Sequence, residues 1–108
     1  MRNINLKVED LKLISYNATI QIKYIKPGMR ILESFGDEER TYIYVVKEVF
    51  KSNGEVTFYA STTSMLFGKE TKITNTWCLK EDDWVTVFFE TREKALELGI
   101  KEKDIETS

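Results

Sequence analysis

Residues 41–61 read TYIYVVKEVFKSNGEVTFYAS, and this segment decides the fold. Two runs rich in β-branched and aromatic residues flank Ser52-Asn53-Gly54, and such runs are typical of β-strands. Asn and Gly tolerate the positive φ angles that tight hairpin turns require. The segment therefore predicts a β-hairpin.

The register of this hairpin has two solutions. A two-residue turn at Asn53-Gly54 places Val49 opposite Phe58, whereas a three-residue loop with Gly54 left-handed places Phe50 opposite Val56. We prefer the three-residue loop, because it collects most of the large apolar side chains on one face. That face would carry Tyr42, Tyr44, Val46, Phe50, Val56, Phe58 and Ala60.

The reverse face of the hairpin would then carry Ile43, Val45, Val49 and Tyr59, which is too much apolar surface to leave in water. Another part of a bent sheet, the C-terminal helix or a second molecule is expected to cover it. A bulge near Lys47-Glu48 would also exchange the two faces part-way along the strand.

Shorter strands are predicted before and after the hairpin from alternating apolar and polar residues and from turn residues such as Pro27-Gly28. We expect them at residues 4–8, 20–24, 29–33, 65–67, 72–79 and 84–89. An exposed loop at 34–39 and a polar link at 61–64 separate some of them. Thr91 is suited to cap a short helix at 92–98, and Gly99 to close it.

The number of short strands, the hairpin turns and the lack of βαβ alternation predict a mainly β fold. We expect a small antiparallel barrel or strongly curved sheet, SH3-like or OB-like, with one short C-terminal helix. A chain of 108 residues is long enough for one domain only. We assign that domain to residues 1–100 and expect a charged, frayed tail at 101–108.

Both tryptophans and the only cysteine lie in residues 73–89, ITNTWCLKEDDWVTVFF. Two strands joined by an acidic turn at 80–83 would form another hairpin, with Trp77, Leu79 and Trp84 filling the core. Cys78 alternates with Trp77 and so faces the other way, where a lone thiol behaves as a small hydrophobe.

The composition argues against catalysis. The chain has no histidine and one cysteine, which excludes Ser-His and Cys-His nucleophiles, cysteine clusters and the usual zinc site. Its acidic residues fall mainly in turns, and its five glycines are isolated rather than grouped as a phosphate-binding loop. We predict a protein that is not an enzyme and that has no cofactor and no metal site.

The chain is expected to be cytoplasmic. It contains no apolar run approaching the roughly 20 residues that span a bilayer, and MRNINLKVED lacks the apolar core of a signal peptide. A single cysteine allows no intrachain disulfide, which fits a reducing compartment.

The charge distribution suggests a binding surface. Residues 1–30 carry six Lys and Arg against two acids, so their net charge is +4, and the remainder must sum to −6 to give −2 overall. The candidate binding residues are Lys23, Tyr24, Lys26, Arg30 and Tyr59. A protein partner or self-association is the favoured hypothesis, because an acidic chain gains little from phosphate contacts. The alternative is a small barrel that binds nucleic acid through its basic N-terminal third.

The ending VTVFFETREKALELGI, a strand that leads into a Thr-capped helix, resembles the end of small uncharacterised proteins encoded by phages and prophages of Gram-positive bacteria. The resemblance covers about 16 residues and carries over no functional residue. It implies a small accessory protein that inhibits or redirects a host factor.

Overall fold

Seven β-strands account for most of the chain that the computed structural model describes, which comprises residues 8–34, 41–66 and 68–108. In chain order the elements are helix α1 (Val8–Lys12), β1 (Tyr16–Gln21), a 3₁₀ helix (Ile22–Tyr24), β2 (Arg30–Ser34), β3 (Thr41–Ser52), β4 (Glu55–Leu66), β5 (Lys69–Lys80), β6 (Trp84–Phe89), α2 (Arg92–Glu97), a second 3₁₀ helix (Glu102–Asp104) and β7 (Glu106–Thr107). The predicted loop at 34–39 lies largely outside the described residues.

The strands form one antiparallel sheet in the order β5-β4-β3-β2-β6-β1-β7. The prediction of a mainly β antiparallel fold is confirmed, but the prediction of a barrel or strongly curved sheet is wrong. Closure requires the two edge strands to pair along their length. A two-residue β7 at one edge cannot cover a twelve-residue β5 at the other, so the sheet stays open.

The β3–β4 hairpin closes with the two-residue turn, not with the preferred three-residue loop. Ser52 lies opposite Glu55, and Val49 lies opposite Phe58. Asn53 and Gly54 have φ angles of 52° and 78°, as a type I′ turn requires. The predicted bulge is confirmed, because the register shifts between Val46 and Glu48.

Parts of two predicted strands are helical instead, although Ile20 and Gln21 are extended as predicted and belong to β1. Ile22–Tyr24 forms a 3₁₀ helix, which places Ile22 and Ile25 together in the core at a spacing of three residues. The N–H groups of Ile22 and Lys23 donate to the carbonyls of Asp83 and Glu81. These bonds to the β5–β6 turn satisfy backbone groups that would pair with a neighbouring strand if the segment were extended. Val8 begins α1, and the rest of the predicted 4–8 strand lies outside the described residues.

Other strand boundaries differ less from the prediction. β4 runs without interruption through the predicted polar link at 61–64, because every residue from Glu55 to Leu66 has a partner in β5. The predicted strands at 72–79 and 65–67 belong to the long β4–β5 hairpin, apart from residue 67, which is outside the described ranges. The predicted strands at 29–33 and 84–89 correspond to β2 and β6.

The core lies against one face of the sheet, here called the inner face. Its largest fully buried side chains from the sheet are Tyr44, Val46, Val56, Phe58, Val87 and Phe89. Ile22, Ile25 and Met29 join the same cluster from the 3₁₀ helix and the loop after it, and Ala95 and Ile100 join it from α2 and the segment that follows. The sheet is therefore covered on this face by a layer of short helices and loops.

Helix α2 has the predicted caps. The Thr91 Oγ1 accepts a hydrogen bond from the Lys94 N–H at 3.0 Å, and Gly99 ends the helix with a φ of 94°. Residues 101–108, expected to be a frayed tail, instead form the second 3₁₀ helix and β7, which pairs with β1. Ile105 is buried between them, and its burial holds this segment against the sheet.

The two tryptophans have different environments. Trp77 is half-buried on the inner face, where it packs against Phe58 and Tyr44. Trp84 is 66% exposed, so the prediction that it fills the core is wrong. The reason is the β6 register: Val85, Val87 and Phe89 point inward, and Trp84 therefore points to the opposite face.

Candidate functional site

The opposite face of the sheet, here called the outer face, is the candidate site. Strand pairing aligns one row of residues across all seven strands on this face. From β5 to β7 the row is Thr74, Ser61, Val45, Arg30, Phe88, Asn17 and Glu106. Val45 and Phe88 in this row are half-buried, Ser61 is buried and the Arg30 side chain is 15% exposed. The exposed members of the row are therefore at its two ends, Thr74 on β5 and Glu106 on β7.

The β3 bulge sends an aromatic side chain to this face. In an unbroken strand Phe50 would share the inner face with Tyr44 and Val46. The extra residue at the bulge reverses the alternation, so Val49 turns inward opposite Phe58 and Phe50 turns outward opposite Thr57. Phe50 is consequently 50% exposed.

Phe50 and Tyr59 form an exposed aromatic pair on adjacent strands. Their ring centroids lie 5.8 Å apart with an interplanar angle of 72°, an edge-to-face arrangement. Tyr59 is 36% exposed. Thr57 lies between Phe50 and Cys78 in the same cross-strand row, and the Cys78 thiol is free and exposed. We call Phe50, Thr57, Tyr59 and Cys78 the outer patch.

Of the four residues of the outer patch, only Tyr59 belongs to the predicted binding set. Phe50 was missing from the predicted binding residues because the preferred hairpin register placed it in the core. The signal that identifies it is the bulge at Lys47-Glu48, combined with the Asn53-Gly54 turn. Thr57 and Cys78 follow once the three strands are placed in register.

Arg30, also predicted to bind, lies at the centre of the outer face. Its side chain is only 15% exposed, and its Nη2 is 3.9 Å from Glu90 Oε1. Its Nε and Nη1 atoms are buried and have no hydrogen-bond partner among the described residues. Val45 and Phe88 flank Arg30 on the neighbouring strands, which accounts for an apolar environment around the guanidinium.

Lys23 and Tyr24 lie on the 3₁₀ helix, which packs on the inner side of the sheet. Lys23 Nζ is 4.0 Å from Asp82 Oδ1 and 5.5 Å from the ring centroid of Tyr24. The Lys23 carbonyl accepts a hydrogen bond from Lys51 Nζ at 2.7 Å. Tyr24 is 56% exposed. The ammonium group of Lys23 therefore already has an acidic and an aromatic neighbour within the same chain.

Lys26 follows the same helix and approaches the C-terminal end of α2. A Cβ atom added to Gly99 would lie 2.8 Å from Lys26 Nζ, so the ammonium group sits beside the residue that ends the helix. The partial negative charge of a helix C-terminus favours a cation there. The position of Lys26 therefore has a structural explanation.

The structure divides the five predicted binding residues between two locations. Arg30 and Tyr59 are on the outer face of the sheet, whereas Lys23, Tyr24 and Lys26 belong to the segment that covers the inner face. The three predicted basic residues, Lys23, Lys26 and Arg30, therefore do not converge on one cationic groove.

The acidic turn after β5 is also engaged within the chain. Asp83 Oδ2 accepts a hydrogen bond from the Lys80 N–H at 3.2 Å, and Asp82 pairs with Lys23. Among the described residues no three His, Cys, Asp or Glu side chains are grouped so that they could hold a metal ion. In the same ranges, no helix is both long enough and apolar enough to cross a bilayer.

Comparison with protein-family models, curated proteins and solved structures finds no match to this chain. The arrangement of its own residues is therefore the basis for assigning a function.

Proposed function

We propose that this protein is a non-enzymatic binding module that recognises a protein partner through the outer face of its sheet. The observation that carries the proposal is the exposed edge-to-face pair of Phe50 and Tyr59. Aromatic side chains dominate the binding energy of protein interfaces, because they bury large areas at a small cost in conformational entropy.

The surroundings of the pair resemble the centre of an interface. Thr57 and Cys78 are small and uncharged, and both lie beside the aromatic pair. Interface centres are typically depleted in charge and surrounded by a polar rim, which Glu48 and Thr76 provide on either side of Tyr59.

Two features of the chain support a binding role over a catalytic one. The sequence has no histidine, and its only cysteine, Cys78, is exposed within the outer patch. The resemblance to phage and prophage proteins fits this role, and we propose an accessory protein that inhibits or redirects a host protein.

Nucleic-acid binding is less well supported. Single-strand binding needs cationic side chains that converge beside stacking aromatics. Here Lys23 and Arg30 each have an acidic neighbour, and the two lie on different sides of the sheet. A net charge of −2 further weakens attraction to phosphate.

Affinity capture from the source cell tests the proposal. Three immobilised forms are compared: the wild-type chain, the double variant Phe50→Ser/Tyr59→Ser, and the control Tyr24→Ser, which removes an aromatic of similar exposure from the inner-side segment. We expect the wild type and the control to recover the same protein in stoichiometric amount, and the double variant to lose it. Titration of that purified protein should show at least a tenfold weaker affinity for the double variant.

Equal capture by all three forms would contradict the proposal. Loss of capture by Tyr24→Ser alone would place the site on the inner-side segment. Titration with labelled oligonucleotides at two salt concentrations distinguishes the alternative, since phosphate-driven binding weakens as salt rises.

A further inference from the structure

We infer that the exposed surface where β1 pairs with β6 is a second binding site, which takes a neutral oligosaccharide of equatorially linked pyranose rings. The site consists of Thr19, Gln21, Trp84 and Thr86, here called the neutral patch. It shares no residue with the outer patch, and the inference does not depend on the proposed protein partner.

Strand pairing brings the four residues of the neutral patch together. Gln21 lies opposite Trp84, and Thr19 lies opposite Thr86 in the next cross-strand pair on the outer face. The Thr19 and Thr86 hydroxyl oxygens are 3.2 Å apart, so these two side chains share one face. Gln21 is half-buried and the other three residues are exposed. All four are therefore open to a ligand from solvent.

The charge pattern of β1 and β6 selects an uncharged ligand. Charged residues make up 31% of the chain, yet none occurs in the six residues of β1 or the six of β6. Solvent-facing positions are ordinarily those that carry charged side chains. On these two strands the outward positions carry amides, hydroxyls and aromatic rings instead. This surface is complementary to a neutral ligand and offers no cation to a phosphate.

The acids of the adjacent β5–β6 turn do not alter this neutrality. Asp82 pairs with Lys23, and the Asp83 carboxylate accepts a hydrogen bond from the Lys80 N–H. Both carboxylates are therefore engaged within the turn and its neighbours.

The polar groups of the neutral patch both donate and accept hydrogen bonds. A hydroxyl has one hydrogen and two lone pairs, so the bond between Thr19 and Thr86 uses one hydrogen and leaves the other. The Gln21 Nε2 donates to the Asp82 carbonyl at 3.5 Å, which leaves its second hydrogen and the amide oxygen. Sugar hydroxyls are likewise both donors and acceptors. The patch therefore matches the hydroxyl rim of a sugar.

Trp84 supplies the apolar part of the site. Its side chain is 66% exposed, and its neighbours on this face, Gln21 and Thr86, are polar. A protein interface has a more continuous apolar centre than one isolated ring provides. A pyranose ring needs only one such surface, because its C–H groups form a flat face and its hydroxyls lie around it. Equatorial substituents leave that face open to stack on the indole.

The strands also give the site length. The outward row of β6 from Trp84 to Phe88 extends for roughly 13 Å, at about 3.3 Å per residue. Equatorial linkage keeps a chain of pyranose rings extended, whereas axial linkage curves it. An extended chain therefore fits along β6, and the sheet faces of other small β folds bind oligosaccharides.

Titration of the isotope-labelled full chain with two neutral sugars tests the inference. The probes are cellohexaose and the equatorially linked hexamer of N-acetylglucosamine, which distinguish plain from acetamido sugars. We expect at least one to bind with a Kd of about 1 mM or lower and to shift the indole N–H signal of Trp84 but not that of Trp77. Maltohexaose, which joins glucose through axial bonds, should bind at least tenfold more weakly. Added salt should leave the affinity unchanged.

Variants locate the site. Trp84→Ala should weaken binding at least tenfold, and Gln21→Ala by roughly three- to tenfold through its lost hydrogen bonds. Trp84→Phe keeps an aromatic face and should lose less affinity than Trp84→Ala. Tyr24→Ser and Phe50→Ser/Tyr59→Ser remove exposed aromatics elsewhere and should bind sugar as wild type does. Circular dichroism checks that each variant is folded.

Failure of both equatorially linked sugars to bind at about 10 mM would overturn the inference. Wild-type affinity in Trp84→Ala, or loss of affinity in Phe50→Ser/Tyr59→Ser, would overturn the location. An affinity that falls as salt rises would overturn the neutral basis of recognition. Capture of a protein from the source cell by wild type but not by Trp84→Ala would assign the neutral patch to a protein instead.

Discussion

The indole ring of Trp77 stacks on the ring of Phe58, with centroids 5.2 Å apart and planes within 8° of parallel. Tyr44 meets the same indole edge-on at 5.3 Å. Three strands thus contribute one aromatic cluster to the inner face, and this cluster ties the β4–β5 hairpin to the rest of the core.

This packing predicts unequal roles for the two tryptophans. Trp77→Ala should lower the free energy of unfolding by about 2–3 kcal/mol, because it removes a half-buried ring with two aromatic neighbours. Trp84→Ala should cost roughly 0.5 kcal/mol or less, since that side chain is mostly exposed. Urea denaturation of both variants checks the difference, and equal losses would contradict it.

The Asn53-Gly54 turn predicts a residue-specific effect on stability. Gly54→Ala should lower the free energy of unfolding by about 1 kcal/mol, although a Cβ there meets no atom within 4 Å, because the positive φ strains an L-residue. Asn53→Gly should be tolerated. Thermal and urea denaturation measure both. If Gly54→Ala proved neutral, the type I′ geometry would be refuted.

The environment of Arg30 predicts a stabilising substitution. Arg30→Met keeps the length of the side chain but removes the two buried nitrogens that lack partners. The free energy of unfolding should rise by about 1 kcal/mol, since burying unpaired polar groups is costly and the 3.9 Å pair with Glu90 is weak.

Glu90→Gln is the control for Arg30→Met. It removes the ionic partner and leaves the guanidinium in place, so it should change stability by roughly 0.5 kcal/mol or less. A marked loss of stability in Arg30→Met would mean that the guanidinium makes contacts that outweigh its desolvation.

The raised pKa of the Tyr44 hydroxyl predicts that the protein loses stability at alkaline pH. Burial raises the pKa of the Tyr44 hydroxyl, the charges of Glu33 and Tyr42 raise it further, and the hydrogen bond from Asn75 opposes them. In the unfolded chain tyrosine ionises near its ordinary pKa of about 10. The native state therefore binds more protons above that pH, and the free energy of unfolding falls as pH rises.

Tyr44→Phe isolates this contribution. At neutral pH the variant should lose about 1 kcal/mol, because the Asn75 side chain no longer donates to the Tyr44 oxygen at 3.1 Å. Its stability should then decline less steeply than that of wild type between about pH 9 and about pH 11. If the free energy of unfolding fell equally steeply with pH in the two proteins, Tyr44 ionisation would not contribute to the loss of stability.

Local patterns predicted much of the secondary structure. Thr91 and Gly99 identified the cap and end of α2, and the turns at Pro27-Gly28 and at 80–83 located the starts of β2 and β6. Alternation was less reliable, because Ile22–Tyr24, within the predicted strand at 20–24, is a 3₁₀ helix. The hairpin register was wrong because the choice weighed one uniform apolar face, whereas the bulge divides β3 between two faces. The barrel was wrong because whether two edges meet depends on the lengths of distant strands such as β5 and β7.

The candidate site was less predictable than the fold. Lys23, Tyr24, Lys26 and Arg30 are close in sequence, but the turn at 27–29 carries the chain from the inner side of the sheet into β2. Their charges therefore separate in space. Tyr59 lies on the face of the hairpin opposite the core, as predicted. Its aromatic partner, Phe50, could be identified only after the bulge was located.

The central claim is that the outer face, and not the basic N-terminal segment, binds a protein. The most direct test records backbone amide shifts of the isotope-labelled chain while the protein recovered by affinity capture is added. The account predicts shifts at residues 48–50, 57–59 and 76–78. Shifts confined to residues 22–26 would contradict it.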